Sequence, residues 1–212
     1  YLECQGCFWL DKKMGIRRPP PYPYALNSAV DALLKEEFDA YRKRREPHPL
    51  LLDYHIPAKL FGNQKLLDEW RDNIRGLRYY DKELKATLFG AVDDIVEYKD
   101  GSLAALDYKS TGSKIANIYD QFQLQLDTYT FLLEKNGYKT KKKGYLAFYI
   151  VDKENGFLDR LPFRKKVVEI ETNPADVYET FKDAVLLLRT EKAQKHSKDC
   201  LFGTWLERVS HI

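Results

Sequence analysis

A chain of 212 residues suits one domain with a substantial core. Its 35 Lys and Arg against 32 Asp and Glu leave a formal charge of +3, which permits nucleic-acid binding without demanding it. Hydrophobic residues make up 44% of the chain, yet no apolar run approaches the roughly 20 residues of a membrane span, so a spanning helix is excluded and a soluble, cytoplasmic protein is expected.

Taken in order, Arg18 to Tyr24 holds four prolines, cannot be helical and punctuates the approach to the main domain. Leu26, Val30, Leu33/Leu34, Phe38 and Tyr41 then recur at helical spacing, with Asn27 or Ser28 as a cap and an end near Arg45, before Pro47. Loop through Pro57, a short helix from about Gln64 to Asn73, and a loop or edge strand from Arg75 to Asp81 follow. Two β-rich runs flank Asp100-Gly101 between Leu88 and Ser110, the pattern of a β-hairpin. A helix from about Tyr119 to Lys135 stops at Asn136-Gly137. Strands over Tyr145–Val151 and Leu158–Glu171 turn around Asn155-Gly156, and Pro174 opens a last helix reaching about Thr190. The order predicts an α/β fold: a mixed central sheet flanked by helices, in a single domain over 1–212 with its core at about 25–190.

The hairpin carries the chemistry. Asp93 and Asp94 lie on its first run, and Asp107 and Lys109 on its second, where their i,i+2 spacing puts both on one strand face. Carboxylates among Ala, Val, Leu and Ile are costly to desolvate unless paired or bound to a cation. Two or three of them with one amine make an oxygen-ligand site for a hard divalent metal, which suits phosphodiester hydrolysis. The bland reading is a buried Asp-Lys ion pair, which leaves the other strand's carboxylate unpaired. A strict two-residue turn at Asp100-Gly101 places Asp94 opposite Asp107, whereas one more residue or a bulge places Asp93 there.

Gly90-Ala-Val-Asp93, then Asp107-Tyr-Lys109, then Gln125-Leu-Asp-Thr-Tyr129 resembles the RecB-type branch of the PD-(D/E)xK nuclease superfamily, with its G-x-x-D, (D/E)-x-K and Q-x-x-x-Y motifs. The resemblance covers about Ala25 to Ile150 and implies a restriction-endonuclease-like fold. It selects Asp93 over Asp94. It further implies Mg²⁺ or Mn²⁺ held by Asp93, Asp107 and the Tyr108 carbonyl, with Lys109 orienting or deprotonating water. Gln125 and Tyr129 then support the site and contact the DNA backbone, although Tyr129 also fits the helix's apolar stripe. Such relatives usually carry a metal-ligating His on the first helix; here Asp31 stands at that place.

Several RecB-type relatives, CRISPR-associated and helicase-linked exonucleases among them, join their chain ends through a four-cysteine iron-sulfur cluster. This chain has three cysteines, Cys4, Cys7 and Cys200, and Gly203 stands where a C-x-x-C partner of Cys200 would fall. His196 completes a possible tetrahedral Zn²⁺ set of Cys4, Cys7, His196 and Cys200; an incomplete iron-sulfur site or free thiols are the alternatives.

The resemblance therefore implies a metal-dependent DNA nuclease, an exonuclease or single-strand-end nuclease in repair, recombination or defence, acting on single-stranded or duplex ends. Without a Walker A pattern, helicase activity would come from a partner protein. The rival readings are a junction-selective endonuclease and a catalytically silent DNA-binding module of the same fold. Basic clusters at Arg42–Arg45, Lys139 with Lys141–Lys143, and Arg164–Lys166 either track phosphates or form solvated faces.

Overall fold

The computed structural model describes residues 1–19, 25–154, 156–157 and 159–209. Its elements are α1 (Gln5–Met14), α2 (Ala25–Arg44), α3 (Pro49–Asp53), β1 (Ala58–Leu60), α4 (Gln64–Arg71), β2 (Leu77–Asp81), β3 (Ala86–Gly90), β4 (Asp94–Tyr98), β5 (Leu103–Thr111), α5 (Asp120–Lys135), β6 (Lys143–Val151), β7 (Phe163–Glu171), α6 (Ala175–Arg189) and α7 (Leu201–Val209). They form two compact units, Tyr24–Val177 and, separately, Tyr1–Pro23 with Tyr178–Ile212.

The larger unit is built on a mixed sheet in the order β1-β4-β5-β6-β7. Every pairing is antiparallel except β5 with β6, which run parallel across the α5 crossover. This is the α/β architecture expected from the order of elements. Strand alternation splits its core in two. Ala104, Leu106 and Tyr108 of β5 join Tyr145, Ala147 and Tyr149 of β6 in a cluster with Val30, Leu34 and Phe38 of α2. The odd residues of β5 take the opposite face, where Gln125 of α5 reaches Lys109. Asp107 and Lys109 are thus on one face and Tyr108 on the other.

Helix α2 presents Val30, Leu34 and Phe38 inward at four-residue spacing, whereas Leu26 and Leu33, expected on that stripe, are exposed. The expected loop before Pro57 contains a helix, α3, capped by His48, whose Nδ1 accepts from Leu50 N at 3.1 Å. Five residues are too few to show a period, so composition alone read as loop. The short edge strand β1 was hidden for the same reason. Of the proline-rich stretch and the turn near Asn155, residues 20–24 and 155 lie outside the described residues.

The run from Leu88 to Tyr98 is two strands. β3 pairs with β2 in a separate two-stranded sheet and ends at Gly90, and β4 begins at Asp94. A Cβ on Gly90 would sit 3.2 Å from the Tyr129 ring and 3.4 Å from Leu132, so glycine lets β3 approach α5 closely. Residues 91–93 cross between the sheets. The hairpin beyond them closes with a three-residue loop, Lys99–Gly101. Tyr98 N donates to Ser102 O at 2.9 Å and Gly101 takes φ +76, the left-handed conformation that such loops need at their last position. Pairing then runs Glu97↔Leu103 to Asp94↔Leu106, and one step further brings Asp93 across from Asp107.

Candidate active site

Asp93, Asp107 and Lys109 converge at the end of the β4–β5 hairpin. Asp107 is fully buried, and the Lys109 ammonium lies 2.5 Å from its Oδ2. That contact lacks hydrogen-bond geometry, and neither Asp107 oxygen accepts a hydrogen bond. Burial first, and the Asp93 carboxylate second, push the Asp107 carboxyl up to about 7, with Lys109 acting against them. A buried acid that accepts no hydrogen bond in good geometry, faces a second acid and has one ammonium beside the two of them is a place where a further cation is favoured.

Asp93 is the more exposed of the two. Its Oδ2 accepts from Tyr108 N at 3.0 Å and its Oδ1 lies 3.1 Å from the Lys35 ammonium. Lys35 also donates to Asp31 Oδ2 at 2.8 Å, so Asp31 is linked to Asp93 through one lysine. Burial works against the Lys35 ammonium, but Asp93 and Asp31 outweigh it and raise its pKa. Lys35 did not emerge from the sequence, although it lies at i+4 from Asp31 and so on the same face of α2. A cavity of about 310 Å³ opens beside these groups, lined by Asn27, Ser28, Asp31, Leu34, Tyr108, Lys109 and Ser110.

Gln125 and Tyr129 complete a line of hydrogen bonds from α5. Lys109 Nζ donates to Gln125 Oε1 at 3.1 Å, Gln125 Nε2 to the Tyr129 hydroxyl at 2.7 Å, and that hydroxyl to Ala91 O at 2.6 Å. The line ties the lysine on β5 to the backbone leading into Asp93. Tyr129 is buried as well as hydrogen-bonded, so it serves packing and positioning together; burial raises its phenol pKa.

Asp94 points the other way. It is fully buried and ion-paired with Arg42 and, at 3.1 Å, with Arg71, and it accepts from the Tyr108 hydroxyl at 2.7 Å. Arg71 also donates through Nε to Asp93 O at 2.6 Å and through Nη1 to both oxygens of Asp39 at 2.9 and 2.8 Å. With Trp70 O accepting from Val92 N at 3.1 Å, the end of α4 holds the backbone of residues 92–93 from two points. Arg42 therefore leaves the expected surface cluster for the interior. The second cluster is largely partnered within the protein: Lys139 and Lys141 with Asp100 at 3.3 and 2.9 Å, and Lys143 with Glu169 at 2.8 Å.

The smaller unit brings Cys4, Cys7, His196 and Cys200 together. Their ligand atoms all lie within 4.8 Å of one another, with Cys7 Sγ 3.4 Å from Cys200 Sγ and 3.3 Å from His196 Nδ1. Tetrahedral zinc with bonds of about 2.1–2.3 Å sets its ligands roughly 3.5–4 Å apart, which this cluster nearly meets. Cys4 caps α1, accepting from Cys7 N at 3.4 Å. Burial opposes the Cys4 thiolate, but the Cys7 N–H, Ser197 and His196 outweigh it and bring its pKa down to about 5. Two glycines make room for the imidazole. A Cβ on Gly203 would lie 2.3 Å from His196 Cγ, and one on Gly6 would lie 3.0 Å from His196 Nδ1. His196 occupies the space that a side chain at 203 would need.

A family model described as the PD-(D/E)XK nuclease superfamily matches residues 5–202. No curated protein matches the sequence. Among solved structures, a crystal structure of SSO0001 aligns with 16% identity and a TM-score of 0.31, over 51% of this chain and 45% of that one. The chain thus spans under half the length of that protein. No helix among the described residues is long and apolar enough to cross a membrane.

Proposed function

Because the chain belongs to the PD-(D/E)XK nuclease superfamily, and its mixed sheet is of the restriction-endonuclease-like kind, we propose that it is a Mg²⁺- or Mn²⁺-dependent DNA nuclease of RecB type, acting on single-stranded or duplex ends. One observation carries the reading: Asp107 is buried with neither oxygen hydrogen-bonded, and the register brings Asp93 across from it. The donor set is all oxygen, which fits a hard divalent ion. Asp93, Asp107 and the Tyr108 carbonyl would hold it, with Asp31 entering once Lys35 yields.

The bound ion would supply charge neutralisation at the scissile phosphate and a lowered pKa for water. The chain's own residues do the positioning. Lys109, fixed between Asp107 and Gln125, presents an ammonium where the attacking oxygen must be oriented. Gln125 and Tyr129 keep that ammonium in line with the Asp93 backbone. Arg71 fixes the Asp93 backbone from the other side.

The Cys4, Cys7, His196 and Cys200 set fits Zn²⁺, since thiolate and imidazole donors prefer it to Mg²⁺. We assign it a structural role, separate from the carboxylate site. A cytoplasmic setting goes with this reading, since a reducing compartment keeps such thiolates available to a metal. A role in repair, recombination or defence, with unwinding supplied by a helicase partner, is the biological setting that this reading favours.

The catalytically silent module is favoured by Lys35, whose ammonium already bridges Asp31 and Asp93 as an internal cation. Titrating Mg²⁺ and Mn²⁺ against end-labelled single- and double-stranded DNA, linear and circular, separates the readings. Cleavage confined to linear substrates supports an end-directed nuclease, and cleavage of circles an endonuclease. No cleavage by wild type, or undiminished cleavage by Lys109→Ala, overturns the assignment.

A further inference from the structure

Beside the proposed centre lies an apolar rim that phosphodiester chemistry does not require. β5 ends at Thr111, and residues 112–119 lead on to α5, so this loop opens three residues beyond Lys109. It reads Gly-Ser-Lys-Ile-Ala-Asn-Ile-Tyr, with one cation, Lys114, and no carboxylate. Its large apolar side chains stand in water: Ile115 is 64% exposed, Ile118 52% and Tyr119 53%. Exposed apolar residues gathered in one short segment mark contact surfaces more often than isolated ones do.

The rim is joined to the centre through aromatic contacts. The Tyr119 ring meets Phe122 edge-on, with centroids 5.4 Å apart. Phe122 in turn lies beneath the Lys109 ammonium, 4.7 Å from ring centroid to nitrogen. One ring therefore separates the half-exposed Tyr119 from the lysine. Asn117 Nδ2 donates to the Tyr119 hydroxyl at 3.4 Å, which restrains the ring tip.

We propose that Tyr119, flanked by Ile115 and Ile118, is a stacking platform for an unpaired nucleobase next to the phosphate held at Asp93, Asp107 and Lys109. The proposal rests on the nuclease reading and deepens it by naming the substrate class: a single strand. A paired base inside a duplex has both faces covered by its neighbours, whereas an unpaired base offers a free face to an aromatic ring. Lys114, in the same loop, suits a polyanion.

The test is fluorescence anisotropy of the full chain with labelled single-stranded and blunt duplex oligonucleotides, in Ca²⁺ to suppress cleavage, followed by cleavage in Mg²⁺. Tyr119→Ala is expected to weaken single-strand binding about tenfold, in line with base–aromatic stacking generally, and to leave blunt-duplex binding unchanged. Tyr119→Trp should retain wild-type affinity, and both variants should melt like wild type. Moving one abasic nucleotide along the strand should find a position that weakens wild type about tenfold and leaves Tyr119→Ala unaffected. Equal single-strand affinity in wild type and Tyr119→Ala, or equal loss on single strand and duplex, overturns the platform while cleavage by wild type keeps the nuclease reading intact. A wild-type dimer dissociated by Tyr119→Ala overturns it too, since the rim would then cover a second copy. Failure of wild type to bind or cleave any DNA removes both.

Discussion

Replacing Asp107 by Asn is expected to stabilise the metal-free protein while abolishing cleavage. The carboxyl is held at about 7 by burial and by Asp93. Its ordinary value is about 4 and each unit is worth about 1.4 kcal/mol, so ionising it in the fold sets a ceiling near 4 kcal/mol. Asn avoids that penalty but brings an amide with no partner in place and leaves Lys109 without its anion, together about 1–2 kcal/mol. A net gain of about 2 kcal/mol remains, or roughly 4–8 °C in Tm for a chain of this size. The sign follows from the direction of the shift. A raised folded pKa adds no penalty below about pH 4; the penalty grows through the window up to about pH 7 and is complete above it. Thermal and urea unfolding in EDTA at pH 5 and pH 8 should therefore show the gap widening with pH. Mg²⁺ should narrow it, because only wild type gains binding energy. A variant no more stable than wild type at pH 8, or a gap independent of pH, refutes the argument that Lys109 only partly offsets the cost of burying Asp107 beside Asp93.

Two further substitutions separate the adjacent acids. Asp93→Asn should lower cleavage at least 100-fold with little change in Tm, whereas Asp94→Asn should destabilise by about 3 kcal/mol because it removes the buried anion between Arg42 and Arg71; cleavage rates and melts of both variants, if reversed in rank, would mean that Asp94 is the metal ligand. At the Cys/His cluster, Gly203→Ala should displace His196, with loss of near-stoichiometric zinc measured on anaerobically purified protein. Full zinc retention by Gly203→Ala would show that His196 is no ligand.

The sequence made the hairpin, the α5 crossover and the order of the later strands legible, because each is long enough to display a period and bounded by Gly, Asn or Pro. The choice between Asp93 and Asp94 was not legible from residues alone. It depends on whether two or three residues close the turn, and Asp100-Gly101 is compatible with both. Lys35 stayed hidden because a lysine on an amphipathic helix looks the same whether it faces solvent or a carboxylate. Arg42 misled for the converse reason: inside a run of four basic residues, nothing local marks the one that is buried. Helices α1 and α7 display no period because their buried positions are few: Gly6, Cys7 and Trp9 on α1, and Gly203 among the described residues of α7.

The three-residue loop at Lys99–Gly101 stands at the opposite end of the β4–β5 hairpin from Asp93 and Asp107, yet it decides which acid faces which. Were Asp100-Gly101 alone to close the hairpin, Lys99 would pair with Ser102, the register would slide by one, and Asp94 would stand where Asp93 now stands. Asp100 helps to hold the longer loop, accepting from Ser102 N at 3.1 Å and pairing with Lys141 at 2.9 Å. A turn remote from the carboxylates thus belongs to the construction of their site, because its closure fixes which of the two adjacent acids meets Asp107.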